Sequence, residues 1–408
     1  MATEAASAGG VTRSWLGFLL VTLSLVVEGF DLQAANFAGP AIIEDFGISK
    51  AELGPLLSAS LFGVLFGAIF LAPLGDRYGR RPLIIWCCAI YGLISLIASA
   101  ATGLTELIVL RFLIGIGLGA VLPNALALAG EFAPEKLLAA AAGLVGIGIT
   151  FGGTLAGATA AVLLRLGYGW QGIFFAAGVL PLAIAVLLWF SLPESPAFLR
   201  GDVQEKAALK QASVKMLLTP AERSKTIAIW LCFTLVLMVA YLMTGWIPLV
   251  IKEQGFSTET ATWIATAGHG GGVLGGVVAS FALARRQWPV VAFFAGMSAV
   301  LMLLLAMRSW DAGMLTALLV LQGFFTVGTQ NGLNGSAGAA YPPAMRTLGL
   351  GWALGLGRVG SIVGPLAGSG AILLGVGAPH HFFYLPVLPL LIAALLAVYL
   401  SRRIRRQP

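Results

Sequence analysis

Two acidic side chains stand close together in the first long apolar stretch of the sequence. Glu28 and Asp31 are three residues apart, so a helix would place both on one face. Charge is costly inside hydrocarbon, and ionisable residues in membrane helices are therefore functional candidates. Burial favours the protonated form of a carboxyl group, which would let either residue load and release a proton. The alternative is a permanently ionised acid held in a salt bridge.

Two arginines in apolar stretches could complement these acids. Arg111 lies near the start of the fourth stretch, at a depth compatible with Asp31. A guanidinium stays charged, so we expect Arg111 to modulate proton binding at Asp31; the alternative is a structural arginine that extends to the interface. Arg358 stands in the middle of the eleventh stretch with no acidic residue near it. It is a candidate to bind a substrate carboxylate, or to pair with Glu28 or Asp31.

Other polar and aromatic residues in these stretches could line a cavity. His269 could titrate, although a single histidine in a membrane helix is often only hydrogen-bonded to its neighbours. Three aromatic residues could stack on an aromatic ring or simply pack, and these are Phe30, Tyr241 and Trp246. Amide side chains could line the cavity or join helices, and these are Gln33, Asn36, Asn124, Gln330, Asn331 and Asn334.

The composition determines which elements carry these residues. The chain of 408 residues is 59% hydrophobic and 10% charged, with a mean hydropathy of +0.94, whereas soluble domains are about a quarter charged. Apolar runs of about 20 residues are long enough to span a bilayer. They predict twelve spans, near 14–36, 53–74, 83–102, 105–128, 138–163, 171–191, 226–250, 258–283, 289–308, 312–337, 347–373 and 382–400.

A polar stretch near the middle divides the spans into two sets of six. We predict a tail over 1–13, a bundle over 14–192, a linker over 193–225, a second bundle over 226–400 and a basic tail over 401–408. The two halves share a basic loop before a proline and a glycine-rich helix. Duplicated halves are expected of a transporter that moves around a central site. The predicted fold class is an all-α polytopic membrane protein with two pseudo-symmetric six-helix bundles.

Charge and cysteine placement exclude several classes of function. Most of the 24 lysines and arginines fall on one side of the predicted spans, which predicts that both termini are cytoplasmic. The net charge of +7 is therefore a topology signal, and no nucleic-acid partner is expected. The cysteines Cys87, Cys88 and Cys232 lie inside apolar runs, which argues against disulfides and metal sites. Without a nucleophile–base set or a phosphate loop, neither an enzyme nor a cofactor is expected.

The loop after the second span carries the most specific motif, Gly75-Asp76-Arg77-Tyr78-Gly79-Arg80-Arg81. A loop that is merely positive on the inner side would account for the arginines but not for an aspartate flanked by glycines. The motif resembles the loop between spans two and three of the major facilitator superfamily. That resemblance implies that the loop latches the outward-facing state, with an acid at the end of span four as partner. The implied gating residues are Gly75, Asp76, Arg77, Gly79, Arg80, Arg81 and Glu131.

The stretch around the two acids carries a closer resemblance. Glu28-Gly29-Phe30-Asp31 resembles the acidic-Gly-aromatic-Asp motif in span one of the aromatic acid:proton symporter family, where aspartate is more usual than glutamate at the first position. Within that family, the sequence is similar to transporters of 3-(3-hydroxyphenyl)propionate and related phenolic acids. Supporting stretches lie in both halves, at 111–124, 192–195, 245–248 and 357–365.

The resemblance implies a proton-coupled importer of an aromatic carboxylate that works as a monomer in the bacterial inner membrane by alternating access. Its expected partners are the aromatic acid, the proton and the lipid bilayer. The expected proton-coupling residues are Asp31, Glu28 and Arg111. The expected substrate-binding residues are Arg358, His269, Gln33, Gln330, Asn331, Tyr241, Trp246, Phe30 and Asn124. The alternative is a sugar or other organic-ion porter, because residues 193–196 also resemble a sugar-porter motif.

Overall fold

The computed structural model describes residues 2–133, 138–195, 198–199, 214–282, 287–375 and 377–404, and these ranges contain helices but no strand. Twelve helices are long and apolar enough to cross a membrane. The predicted fold class, an all-α protein with twelve spans, is therefore confirmed. Much of the predicted linker lies outside the described residues, including Lys206 and Lys210, as does the tail from 405 onward.

The helices of the first half of the chain follow the apolar runs. They are α1 (Ala2–Phe46), α2 (Leu53–Phe66), α3 (Leu74–Tyr78), α4 (Arg80–Ala98), α5 (Leu104–Phe132), α6 (Leu138–Arg165) and α7 (Gly169–Ser191). A 3-10 turn, Lys50–Glu52, precedes α2, and a π-helical turn, Gly67–Leu71, follows it. The first span continues about ten residues beyond its predicted end, because Pro40 stays within α1 and apolar residues resume after Asn36.

The second half of the chain repeats six spans. Its helices are α8 (Val214–Leu217), α9 (Arg223–Glu253), α10 (Thr258–Ala282), α11 (Gln287–Met307), α12 (Ala312–Ala339), α13 (Pro343–Leu373) and α14 (Val387–Ile404). A 3-10 turn, Pro379–Tyr384, leads into α14. Large apolar side chains such as Phe281 and Leu374 are exposed, as expected for helices that face lipid.

The described helices form two compact units. The first contains Met1–Ala35 and Ala59–Asp202, and the second contains Asn36–Ser58 and Val203–Pro408. We call Asn36–Ser58, which joins the end of α1 to the start of α2, the crossover hairpin. It is covalently part of the first half of the chain, but it packs with the second unit.

Small residues let the helices of each unit pack closely. In the first unit, Gly29 on α1 meets the main chain of Ile149 on α6, where a Cβ atom would lie 2.0 Å from the carbonyl oxygen. In the second unit, Gly360 on α13 meets the main chain of Thr234 on α9 in the same way. Such contacts are typical of membrane helices, where close approach replaces the hydrophobic effect as a source of association energy.

Candidate functional site

Arg111 and Asp31 form a buried ion pair in the first unit. Arg111 Nη1 lies 3.0 Å from Asp31 Oδ1, and the two side chains are 1% and 0% exposed. Arg111 also donates to the main-chain oxygens of Asp31 at 3.2 Å and Leu32 at 3.4 Å, and to Ser60 Oγ at 2.9 Å. Ser95 donates its hydroxyl to Asp31 Oδ2 at 2.5 Å. The structure thus brings together two of the predicted proton-coupling residues and surrounds them with hydrogen bonds.

Sequence reasoning missed the two serines that complete this site. Ser60 on α2 and Ser95 on α4 are both buried, and each bonds one member of the ion pair. A buried charge needs hydrogen bonds to its remaining polar atoms, so serines at matching depth were the available signal. Serine is too common in membrane helices for that signal to be specific.

Glu28 lies one helical turn before Asp31 and is 4% exposed. Its carboxylate interacts electrostatically with the Cys87 and Cys88 thiols and the Tyr91 hydroxyl on α4. Two further predicted residues on α1, Phe30 and Gln33, are also buried. Glu28 and Asp31 therefore occupy different surroundings, although they share a face of α1.

Arg358 in the second unit has no such partners. It stands at the midpoint of α13, fifteen residues from either end, and its side chain is partly exposed. Within the described part of the chain, its guanidinium has neither an ion-pair nor a hydrogen-bond partner. It shares a face of α13 with the exposed Gly351 and Leu354, and this face differs from the one that packs against α9. Arg358 therefore has no counter-charge among the described residues.

Other predicted substrate residues of the second unit lie near mid-helix. His269 is next to the midpoint of α10, and its ring centroid is 5.5 Å from that of Phe37 in the crossover hairpin. Tyr241 is partly exposed on α9. Gln330 and Asn331 are partly buried on α12. The Nδ2 atom of Asn331 is buried and has no hydrogen-bond partner among the described residues.

Two residues that were predicted to bind substrate instead donate hydrogen bonds to main-chain carbonyl oxygens. Trp246 is fully buried, donates its indole N–H to the carbonyl oxygen of Pro365 at 3.1 Å and packs on the Phe382 ring at 5.7 Å. Asn124 donates to the carbonyl oxygens of Ala72 at 3.1 Å and Ala120 at 2.8 Å. The structure therefore places both side chains in contacts between helices or within a helix.

The predicted gating loop is the centre of a cluster of charges in the first unit. Arg80 pairs with Asp76 at 3.1 Å and also with Glu131. Gly79 has a φ of +106°, which only glycine adopts readily, and a Cβ atom there would lie 2.5 Å from the Glu194 carboxylate. Gly75 closely approaches Asn124 in a similar way. The structure therefore joins this loop to the end of α5, as the motif implied.

The segment after α7 completes this cluster. In the sequence, that segment was noted only because it resembles family motifs. Ser195 donates to Glu131 Oε2 at 2.6 Å. Glu194 accepts from the main-chain N–H of Arg81 at 3.1 Å, and Arg81 also donates to the Trp189 carbonyl oxygen. Arg77 is exposed and lies over the Tyr78 ring at 5.2 Å. We refer to Asp76, Arg80, Arg81, Glu131, Glu194 and Ser195 as the loop cluster.

The corresponding end of the second unit is built differently. Lys225, at the start of α9, is buried and pairs with Glu222 at 2.7 Å. It also donates to the carbonyl oxygen of Ala340 at 2.8 Å. Tyr341 donates to Thr226 Oγ1 at 3.2 Å, and burial raises the pKa of its hydroxyl. No group of three or more His, Cys, Asp or Glu in the described ranges could hold a metal ion.

Comparison with known proteins identifies the family. Residues 21–313 match the family model of the Major Facilitator Superfamily. The chain is 35% identical to the 3-(3-hydroxy-phenyl)propionate transporter of Escherichia coli K12, covering 97% of this chain and 96% of the relative. It is 33% identical to the gallate transporter of Pseudomonas putida, with 93% and 90% covered. It is also 33% identical to the 4-hydroxybenzoate transporter PcaK of Pseudomonas aeruginosa, with 89% and 87% covered.

Solved structures show the same fold. A bacterial homolog of the human lysosomal transporter Spinster, in an inward-facing and unoccupied conformation, matches with a TM-score of 0.75 at 19% identity, covering 97% of this chain and 98% of that one. The xylose transporter XylE from E. coli matches with the same score at 16% identity and the same coverage. The chain therefore belongs to the major facilitator superfamily, in the family that includes these aromatic acid transporters.

Proposed function

We propose that this protein is a proton-coupled transporter that imports an aromatic, phenolic carboxylate by alternating access. The observation that carries the proposal is the contrast between two arginines. Arg111 has a carboxylate partner within the protein, whereas Arg358 has no ion-pair partner among the described residues. A guanidinium at the middle of a membrane helix requires a counter-charge, and a substrate carboxylate can supply it through two parallel hydrogen bonds.

The class of substrate follows from the relatives and from the residues beside this charge. The relatives are named as transporters of hydroxybenzoate, gallate and hydroxyphenylpropionate, each an aromatic ring with a carboxylate. The second unit offers Tyr241 and His269 as partly exposed rings, with Gln330 and Asn331 as polar groups. Rings of this kind stack on an aromatic substrate. Arg358 would hold the carboxylate while these groups contact the ring and its hydroxyls.

Proton coupling is proposed for Asp31, with Glu28 as its neighbour and Arg111 as the modulating charge. A proton on Asp31 neutralises one buried charge, and a substrate anion on Arg358 neutralises another. Because Asp31 is paired with Arg111, the proton also frees that guanidinium from its ion pair, so the proposal is that turnover requires the proton on Asp31 and the anion on Arg358 together. No other cofactor and no enzymatic reaction are part of this proposal.

A sugar or organic-cation porter is not favoured. The curated relatives named above carry acids, and the likeness to the xylose transporter, at 16% identity, speaks only for the fold. An unpaired Arg358 would repel a cation and would remain uncompensated beside a neutral sugar.

The proposed setting is the bacterial inner membrane, with the protein as a monomer and both termini in the cytoplasm. The distribution of lysine and arginine supports this orientation, because positively charged loops stay on the cytoplasmic side. The crossover hairpin then lies at the outer face and the loop cluster at the cytoplasmic face.

Reconstituted vesicles that contain a pH-sensitive dye test the proposal directly. Addition of 4-hydroxybenzoate, gallate or 3-(3-hydroxyphenyl)propionate outside is expected to drive acid uptake together with proton influx. Arg358→Ala should abolish uptake, whereas Arg346→Ala, which removes an exposed arginine from the same helix, should not. Uptake of sugars without uptake of any aromatic acid would overturn the assignment.

A further inference from the structure

The last residues of the predicted linker fold onto the second unit. Leu217 on α8 is fully buried and lies in the same cluster of core residues as Leu400, near the end of α14. On either side of Leu217, Met216 and Leu218 are 40% and 42% exposed. The short helix α8 therefore lies beside the end of α14, with one apolar side chain inside the protein and two outside it.

A hydrogen bond joins the same segment to the end of α14. Arg403 donates from Nη2 to the carbonyl oxygen of Ala221 at 2.9 Å. Arg223 begins α9 two residues beyond Ala221, and Arg402 precedes Arg403 on α14. This bond therefore holds together two segments that carry three arginines. We call Arg223, Arg402 and Arg403 the basic patch.

The basic patch has no counter-charge among the described residues. Arg223 and Arg402 are exposed and Arg403 is partly exposed, and within the described ranges none of the three forms an ion pair. The acid next to the patch, Glu222, pairs with the buried Lys225 at 2.7 Å. A group of charges with a single sign raises the local concentration of counter-ions. The patch therefore favours a negatively charged ligand.

The patch lies at the end of a row of exposed side chains on α14. These side chains recur every three or four positions, at Leu388, Leu391, Leu395 and Tyr399, and Arg402 continues the row. The row passes from leucine through tyrosine to arginine, which is the order expected from hydrocarbon through the interface to the lipid headgroups. Arg402 is therefore placed at headgroup level, on the side of α14 that meets lipid.

An anionic phospholipid has the chemistry that fits this place. Its phosphate accepts paired hydrogen bonds from guanidinium groups, and its acyl chains can cover Met216 and Leu218. A phosphate ion from solution would leave these two apolar side chains uncovered. A zwitterionic lipid would bring its own cation close to the arginines. Position and charge together favour a lipid with a net negative charge.

We propose that the basic patch binds the headgroup of an anionic phospholipid, that the acyl chains of this lipid contact Met216 and Leu218, and that the lipid fastens the linker end to α14. The lipid acts beside the direct hydrogen bond from Arg403 to Ala221. Clusters of lysine and arginine next to a membrane helix attract anionic lipids through their charge.

Native mass spectrometry of the full chain in detergent tests the site. The protein is titrated with phosphatidylglycerol and, separately, with phosphatidylcholine that has the same acyl chains. Phosphatidylglycerol should bind with the lower Kd. Arg402→Gln should weaken phosphatidylglycerol binding about fivefold, which is the contribution of one arginine near an anionic membrane surface. Because Arg402 is exposed, this change is not expected to affect folding.

Three further variants separate the patch from its surroundings. Arg346→Gln is the matched control, because it removes an exposed arginine of α13 that lies outside the patch, and it should leave the Kd unchanged. Replacement of all three patch arginines by glutamine should weaken phosphatidylglycerol binding about a hundredfold, and thermal unfolding without lipid checks that this variant is folded. Met216→Gln combined with Leu218→Gln should also weaken binding, because the acyl chains lose their apolar contacts.

Equal affinity of the unaltered protein for the two lipids would overturn the site. Equal weakening by Arg346→Gln and Arg402→Gln would also overturn it, because the attraction would then be a general effect of net charge. Displacement of phosphatidylglycerol by inorganic phosphate at the same concentration would show that the patch binds phosphate and not a lipid. No transport substrate is present in these titrations, so their outcome is independent of whether the protein carries an aromatic acid.

Discussion

Two arginines within the apolar helices, Arg111 and Arg358, have opposite surroundings. Arg111 in the first unit meets a carboxylate, one serine hydroxyl and two main-chain oxygens, and it is buried. Arg358 in the second unit meets none of these among the described residues and stays partly exposed. The first arginine has a counter-charge within the protein, and the second has none among the described residues. This contrast supports the proposal that Arg111 serves proton coupling and that Arg358 binds the substrate.

Removal of Arg111 should have the largest effect. Arg111→Ala leaves Asp31 buried and unpaired, which is expected to destabilise the protein by about 3–5 kcal/mol. Thermal unfolding of the purified protein in detergent measures this loss. Asp31→Asn combined with Arg111→Gln removes both charges and should recover most of the stability. A similar loss of stability in Arg358→Ala would contradict the prediction that only Arg111 is needed for stability.

Removal of Arg358 should affect binding and leave stability nearly unchanged. A charge-assisted hydrogen bond contributes about 1.5–3 kcal/mol, so Arg358→Ala should weaken 4-hydroxybenzoate binding about tenfold to a hundredfold. Calorimetric titration measures the Kd, with Arg346→Ala as the control. Arg358→Lys should recover part of the affinity, because it restores the charge but not the two parallel hydrogen bonds. Unchanged affinity in Arg358→Ala would show that the substrate carboxylate does not bind to Arg358.

Neutralisation of Asp31 should uncouple transport from the proton gradient. A difference of one pH unit provides about 1.4 kcal/mol per proton, or tenfold accumulation of substrate. Asp31→Asn should lose this accumulation but still exchange labelled for unlabelled substrate. Glu28→Gln, tested in parallel, shows how the two acids divide the task. If Asp31→Asn still accumulates substrate in response to the gradient, Glu28 and not Asp31 would be assigned as the residue that carries the proton.

The smallest effect should come from the loop cluster. Glu131 joins Arg80 to Ser195, so it links α4 to the segment after α7, whereas Glu222 pairs with Lys225 within a single turn. Glu131→Gln is therefore expected to cost about 1 kcal/mol and to change the exchange rate. Glu222→Gln is the matched change in the second unit and should leave the exchange rate unaltered. Equal rates for both variants would show that the loop cluster and the start of α9 do not differ in their effect on exchange.

The sequence predicted the level at which a residue lies along its helix, but it did not predict the side of the helix to which the side chain points. Counting along the apolar runs placed Arg111 at the level of Asp31, and the structure joins them. The residue type offered Trp246 as a ring that could stack on an aromatic substrate, but its indole is turned into the contact between α9 and α13. The side of a helix that faces a cavity depends on its neighbours, which lie far away in sequence.

Resemblance and composition predicted the fold and the twelve spans, because these follow from local patterns. Ser60 and Ser95 were not predicted as site residues, because a serine indicates a polar site only when a charged side chain is known to lie beside it. The crossover hairpin also escaped notice. Nothing in residues 36–58 indicates that they pack with helices encoded some 200 positions later, as Lys50 does with Glu253.

That separation along the chain has a consequence for biosynthesis. The hairpin emerges from the ribosome long before α9 and α13, its packing partners, have been made. Contacts of such long sequence separation form late in folding. Until then, Lys50 and Glu44 have no counter-charges to meet. A fragment that began after the linker would lack the hairpin, and the second unit could not complete its own packing. Synthesis of the second unit therefore begins before that of the first unit has ended, and its packing is completed last.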